Sequence, residues 1–151
     1  MAHYRVIDKA SWPRLDHFTF YRTFANPSFN LCVPVEAQQL YTCAKDHGVS
    51  FFQLALFGLL RAANAVPQLR QRLRNDDIIE YDAISVMTPI MTTSEGFRQV
   101  WCDNAADFPA FSAAATPRIE AARSTNPSPL IVEEENFFCA SCLPWLDRKS
   151  V

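Results

Sequence analysis

An α+β fold with a sheet covered by helices is what the sequence predicts. Apolar residues recur at helical spacing in four stretches, extended runs of antiparallel type separate them, and the two never settle into regular βαβ units. At 151 residues the chain is expected to form one domain, 1–151, large enough to bury a core without disulfides or metal.

Ser11 ahead of Trp12-Pro13 reads as a cap and first turn, with Leu15, Phe18, Tyr21 and Phe24 at near-helical spacing, so a helix is expected from Pro13 to Phe24. Phe29, Leu31 and Val33 alternate with Ser28, Asn30 and Cys32, the pattern of a half-buried strand that Pro34 ends. Ala37, Leu40, Tyr41 and Ala44 mark a second helix, with Glu36 at the positive end of its dipole and Gly48 closing it. Ser50 and Gln53 form a capping-box pattern before Phe51–Leu60. That run is apolar nearly all round, which predicts packing on several sides and an end near Asn64, ahead of Pro67.

Asn75-Asp76-Asp77 is turn chemistry leading into extended runs at Ile78–Tyr81, Ile84–Thr93 and Phe97–Cys102, read as a meander. Phe108, Phe111, Ala115, Ile119 and Ala122 mark a further helix, expected to kink or split at Pro117. Ser124–Pro129 is a loop, and Phe137–Leu143 is the last strand.

Composition narrows the function classes. Twelve Phe, three Trp and four Tyr suit a bulky core or an apolar pocket, while three Gly argue against a phosphate-cradling loop. The net charge of −2 leaves no basic face for nucleic acid. The N-terminus has no signal pattern and the longest apolar stretch, Val49–Leu60, is broken by Ser50 and Gln53, so a soluble cytoplasmic protein without membrane contact is expected. Five cysteines without a repeated spacing suit reduced thiols better than a disulfide framework.

Ser141 is the one hydroxyl in the apolar run Phe137–Trp145. An unpaired buried polar group costs on the order of 1–3 kcal/mol, so its partner is expected to be backbone or a substrate. Cys139 and Cys142 match C-x-x-C, but residues three apart on a strand face opposite ways, so no redox or metal role is assigned. His3, His17 and His47 are read as structural or solvated, and no G-x-S-x-G elbow surrounds Ser141. Arg70, Arg72 and Arg74, like Glu133-Glu134-Glu135, read as solvated surface, and Asp76 and Asp77 as turn residues.

Four segments together resemble the chloramphenicol acetyltransferases of the coenzyme A-dependent acyltransferase superfamily. They are Trp12-Pro-Arg14-Leu-Asp-His17-Phe18-Thr-Phe20-Tyr21, similar to a W-x-R-x-x-H-F opening helix; Phe51 through Asn64 to Arg70, similar to a long helix with an N-x-x-x-x-x-R exit; Ile79-Glu-Tyr81-Asp82 with Phe97–Trp101 and Asp107-Phe108-x-x-Phe111 beyond it; and Ser141-Cys-Leu-Pro144-Trp145, similar to S-x-x-P-W. Their order and spacing cover essentially the whole chain.

The resemblance implies a two-layer sandwich with a mixed sheet, a homotrimer with active sites between subunits, and acetyl transfer from acetyl-CoA to a chloramphenicol hydroxyl, with no metal. It implies Ser141 as the oxyanion-stabilising hydroxyl, Phe20 and Tyr21 as aromatic residues of the drug pocket, and Ala25 and Pro27 as its continuation, though these two differ in type from what the family often carries. Arg14 matches an arginine that in the family pairs with the aspartate of an H-x-x-x-D-G motif. These 151 residues contain no such motif, and none of the three histidines matches its catalytic base. The chain is thus expected to be the N-terminal part of the fold, truncated before that motif, inactive alone, and prone to associate through an unpaired sheet edge. The alternative is a non-catalytic remnant that binds an apolar ligand or co-assembles with full-length relatives.

Overall fold

Element ends follow local hydrogen-bond chemistry. The computed structural model describes residues 2–94, 96–124 and 135–142. After strand β1 (Tyr4–Val6), Asp8 caps a 3-10 turn at Lys9–Ser11, its carboxylate accepting from the Ala10 amide and the Ser11 hydroxyl. Ser11 is thereby engaged upstream and does not cap helix α1 (Leu15–Tyr21), whose first position has no side-chain cap and which is shorter than expected at both ends.

The segment expected as a strand at 28–33 forms none. Phe29 is 89% exposed and Leu31 77%, because among the described residues no second strand pairs with them, and alternation alone supplies no partner.

Helix α2 (Gln38–Asp46) starts where the Gln38 amide donates to the Glu36 carboxylate at 2.7 Å and stops at Gly48, whose φ of +62° suits glycine. Helix α3 (Phe51–Ala65) is capped by Ser50, which accepts from the Gln53 amide at 3.3 Å. Only half of the capping box forms. The Gln53 side chain instead crosses to helix α4 (Phe108–Arg123), accepting from the Ser112 hydroxyl at 2.7 Å and donating to Thr116 at 3.1 Å. Within α3, Gln53, Leu56, Leu60 and Ala63 are buried whereas Leu59 is exposed, so the described residues cover one face rather than several.

Helix α4 starts at Asp107, which accepts from the Ala110 amide at 2.9 Å, and runs through Pro117 unbroken. Pro117 and Ala113, whose carbonyl loses its partner, both face outward where water can replace the bond, while Phe111, Ala115, Ile119 and Ala122 anchor the other side.

Strands β2 (Gln71–Arg74) and β3 (Asp77–Tyr81) form a hairpin whose turn places Asn75 at φ +55°. The turn is legible in the sequence, whereas β2 stands there only as a basic cluster. These strands join β1 in an antiparallel sheet of order β1-β3-β2. Strands β4 (Ser85–Met91), β5 (Phe97–Cys102) and β6 (Phe137–Cys139) form a second sheet, order β5-β4-β6, with β4 antiparallel to β5 and parallel to β6. The expected meander is therefore divided between two sheets, and β6 makes the second one mixed. Pro89, which has no amide hydrogen, sits inside β4 opposite Gln99.

The larger core lies between the second sheet and helices α3 and α4. Leu56, Leu60, Val86, Ile90, Val100, Phe111, Ala115 and Ile119 interdigitate there, and a smaller cluster of Ala63, Ile79, Tyr81 and Ile84 underlies the first sheet. This is the α+β arrangement of helices over sheet that the sequence predicts.

Thr88 sits inside β4 with no exposed surface, and its hydroxyl has no hydrogen-bond partner among the described residues. Thr88→Val removes that unsatisfied group while keeping the branched shape. It is expected to raise the unfolding free energy by about 1–2 kcal/mol, seen as a higher urea midpoint at unchanged slope.

Candidate active site

Three groups of residues carry the site expectations, and they arise on different elements. At the end of α1, Phe20, Tyr21 and Phe24 pack edge to face in a triangle, with ring centroids 5.2 Å (Phe20–Tyr21), 5.2 Å (Phe20–Phe24) and 5.4 Å (Tyr21–Phe24) apart. Beyond it the chain folds around a hollow of about 510 Å³ lined by Tyr21, Phe24, Asn26, Pro27, Ser28 and Phe29. Tyr21 and Pro27 are thus among its lining residues. Phe20 packs edge to face on Tyr21 but, like the exposed Ala25, is not among the lining residues.

Arg14 stands at a second place, a groove of about 550 Å³ between the first sheet and the start of α1. Its guanidinium stacks 5.0 Å from the Trp12 ring and donates to the Gln71 amide oxygen. Arg5, Glu80 and Gln71 are aligned across β1, β3 and β2. Glu80 is only 6% exposed and accepts from Arg5 (3.1 Å), Arg70 (3.1 Å) and Gln71 (3.2 Å). Arg14 therefore reaches a carboxylate through an amide.

Burial pushes the Glu80 carboxyl up, but the Gln71 amide together with Arg5 and Arg70 more than offsets this and holds it below its ordinary value. A carboxylate depressed in the folded state adds stability that is present above its unfolded pKa and lost as pH falls through its folded one. Glu80→Gln is expected to cost about 3 kcal/mol, the low end for breaking a buried pair, because the groove admits water. It should also flatten the acid limb of the stability profile, which urea titrations from neutral pH down to below the ordinary carboxylate range would read.

The basic cluster is not solvated surface. Arg70 donates to Glu80 and to the carbonyls of Tyr81 and Asp82, and Arg72 donates to the carbonyls of Glu135 and Phe137, joining β2 to the start of β6. Arg74 pairs with Glu135 at 3.1 Å and donates to the Tyr81 hydroxyl, while Glu133 and Glu134 lie outside the described residues. Asp76 keeps its turn position and pairs with Arg22 at 3.0 Å. Asn64, in the sequence a helix-end and motif residue only, makes a contact between elements. Its side-chain amide donates to the Ile84 carbonyl and accepts from the Ile84 amide, both at 2.9 Å, tying the end of α3 to β4.

Ser141 lies just past β6, which ends at Cys139 rather than running to Leu143; residue 143 itself lies outside the described residues. The serine is exposed, so its hydroxyl can be hydrated and needs no buried partner, and it has no hydrogen bond among the described residues. No hydrogen bond or ring contact among those residues joins Ser141 to Phe20, Tyr21 or Arg14. His3 and His17 are exposed, and His47 ends α2 with Nδ1 2.9 Å from the Cys43 carbonyl. None of the five cysteines is in a disulfide, and burial pushes the Cys102 thiol up to about 11. Among the described residues no group of three or more His, Cys, Asp or Glu could hold a metal, and no helix is long and apolar enough to cross a membrane.

Comparison with known proteins gives these parts a common frame. The family model described as chloramphenicol acetyltransferase matches residues 2–151. The chain is 26% identical over 150 residues to chloramphenicol acetyltransferase 3 of Escherichia coli, covering 98% of this chain and 70% of that one. It is 28% identical over 142 residues to chloramphenicol acetyltransferase 2 of Escherichia coli, covering 93% and 67%, and 25% identical over 149 residues to the Bacillus pumilus enzyme, covering 97% and 67%. A solved chloramphenicol acetyltransferase structure superposes with a TM-score of 0.81 at 29% identity, over 99% of this chain and 69% of that one. With both the sequence match and the backbone match running almost end to end through α1, the two sheets and Ser141, the chain belongs to the chloramphenicol acetyltransferase family.

Proposed function

We propose that residues 1–151 form one acyltransferase-like domain built for O-acetyl transfer from acetyl-CoA to a hydroxyl of chloramphenicol or a similar small molecule, the chemistry of an antibiotic-resistance enzyme of the cytoplasm. The observation that carries this reading is the family match across residues 2–151, with Ser141 placed at the end of β6 and its hydroxyl uncommitted among the described residues. A hydroxyl held ready for the tetrahedral oxyanion is worth roughly 3–4 kcal/mol in a dry site. Phe20, Tyr21, Ala25 and Pro27 belong to the acceptor pocket in this reading, and Arg14 is a structural residue near the site.

A homotrimer fits two features. Ser141 makes no contact of the kinds described with the aromatic hollow on its own chain, as expected if the two meet only between subunits. Phe29, Leu31, Val33 and Val35 also stand exposed in one segment without helix or strand, apolar surface that association would cover.

The acceptor site is tested by calorimetry with chloramphenicol. Saturable binding is expected, weakened roughly tenfold by Tyr21→Ala, since a packed aromatic is worth on the order of 1 kcal/mol or more. Binding that the substitution leaves unchanged would remove the hollow from the account.

A second reading is favoured by one observation: the aromatic hollow is formed while these residues include no match to the family's catalytic histidine. In it the chain is a non-catalytic partner that joins active relatives in mixed trimers. Size-exclusion chromatography of the chain mixed with an active relative should then show a shared peak, and strictly separate elution would count against it.

A further inference from the structure

The C-x-x-C at Cys139-Ala140-Ser141-Cys142 is not used by the acetyl-transfer reading. Strand alternation would hold its two sulfurs on opposite faces, but only Cys139 lies in β6. The Ala140 amide makes the last ladder bond, to the Met87 carbonyl at 2.9 Å, and Ser141 and Cys142 follow outside any strand. Their backbone torsions are free of the ladder, and no side-chain hydrogen bond of Ser141 among the described residues holds the stretch extended. Both thiols are free and exposed.

We propose that Cys139 and Cys142 form a reversible dithiol site that reacts with low-molecular-weight disulfides of the glutathione class and closes a disulfide loop around Ser141. In the first step a cysteine thiolate attacks one sulfur of glutathione disulfide. A protein–glutathione S–S bond forms, the original S–S bond breaks, and one glutathione thiolate leaves. In the second step the other cysteine thiolate attacks the protein sulfur of that mixed disulfide, the 139–142 bond forms, and the second glutathione leaves. Two protein thiols are oxidised, one glutathione disulfide is reduced to two glutathione molecules, and the two cysteine protons end on them.

The second step is intramolecular, and a two-residue spacing gives the resolving thiol a high effective concentration. Cys32 and Cys43 are exposed but have no cysteine at that spacing, and Cys102 is buried. Closure requires the two Cα atoms to lie within roughly 4.4–6.8 Å of each other, so the disulfide would fix the Ala140-Ser141 backbone in a turn that permits this and with it the position of Ser141. That last consequence rests on the acetyl-transfer reading of Ser141, whereas the disulfide chemistry does not.

The test is mass spectrometry of the 151-residue chain after incubation with glutathione disulfide at neutral pH and an acid quench. The peptide carrying both cysteines is expected to lose about 2 Da and retain no glutathione, with reduction restoring it. Cys142→Ser should instead stop with one glutathione on Cys139. Glutathione retained on the wild-type peptide at the end point would overturn the proposal, as would an unmodified peptide while Cys43 is glutathionylated. Because the readout is a mass, its failure leaves the acetyl-transfer reading standing, and failure of that reading leaves the disulfide result intact.

Discussion

Phe111→Ala is expected to lower the unfolding free energy by about 3–5 kcal/mol, enough to consume a large part of the stability of a domain this size. Phe111 is 1% exposed and sits at the centre of the core where α4 meets α3 and the second sheet, its ring 5.4 Å from that of Phe57. Truncation leaves a cavity bordered by side chains fixed on two helices and a sheet, which collapse only in part. Leu59→Ala is the internal control. Leu59 lies on the outer face of α3 and should change stability by no more than about 0.5 kcal/mol. Urea unfolding of both variants decides it: comparable losses would mean that α3 is packed on its outer face as well.

The other large effect is catalytic. Acetyl transfer to chloramphenicol by these 151 residues alone is expected to run at least 10²–10⁴-fold below that of the full relatives, the usual contribution of a general base. An alcohol is a poor nucleophile at neutral pH until its proton is removed. His47 is turned to the Cys43 carbonyl, and His3 and His17 sit on or beside β1 and α1, not on the β4–β6 strands that place Ser141. Ser141 can steady an oxyanion only after attack has begun.

Local chemistry made much of the fold legible. Glu36, Gly48, Ser50 and the Asn75 turn mark ends within a residue or two of where they fall, because each settles its own backbone hydrogen bonds. What stayed hidden depends on distant partners. The alternation at 28–33 looked like a strand but finds no ladder, and Gln71–Arg74 looked like a charged surface but is a strand because β3 lies beside it. Glu80 illustrates the same limit within the site, since its burial and its three donors come from β1, β2 and the turn before β2.

Order of motifs conveyed the family, but not where each single residue stands in the fold. Tyr21 and Pro27 line the hollow, whereas Ala25 does not, and Arg14 settles on Gln71 and Trp12. Ser141 needed the structure to show that it is exposed beyond its strand rather than buried within it.

Thiol release from acetyl-CoA in the presence of chloramphenicol, measured on the purified 151-residue chain beside an active relative, shows whether these residues turn over without the family's histidine. Release at background is expected for this chain and robust release for the relative. Turnover by this chain within tenfold of the relative, lost in Ser141→Ala, would contradict that expectation and require a base among the residues described above.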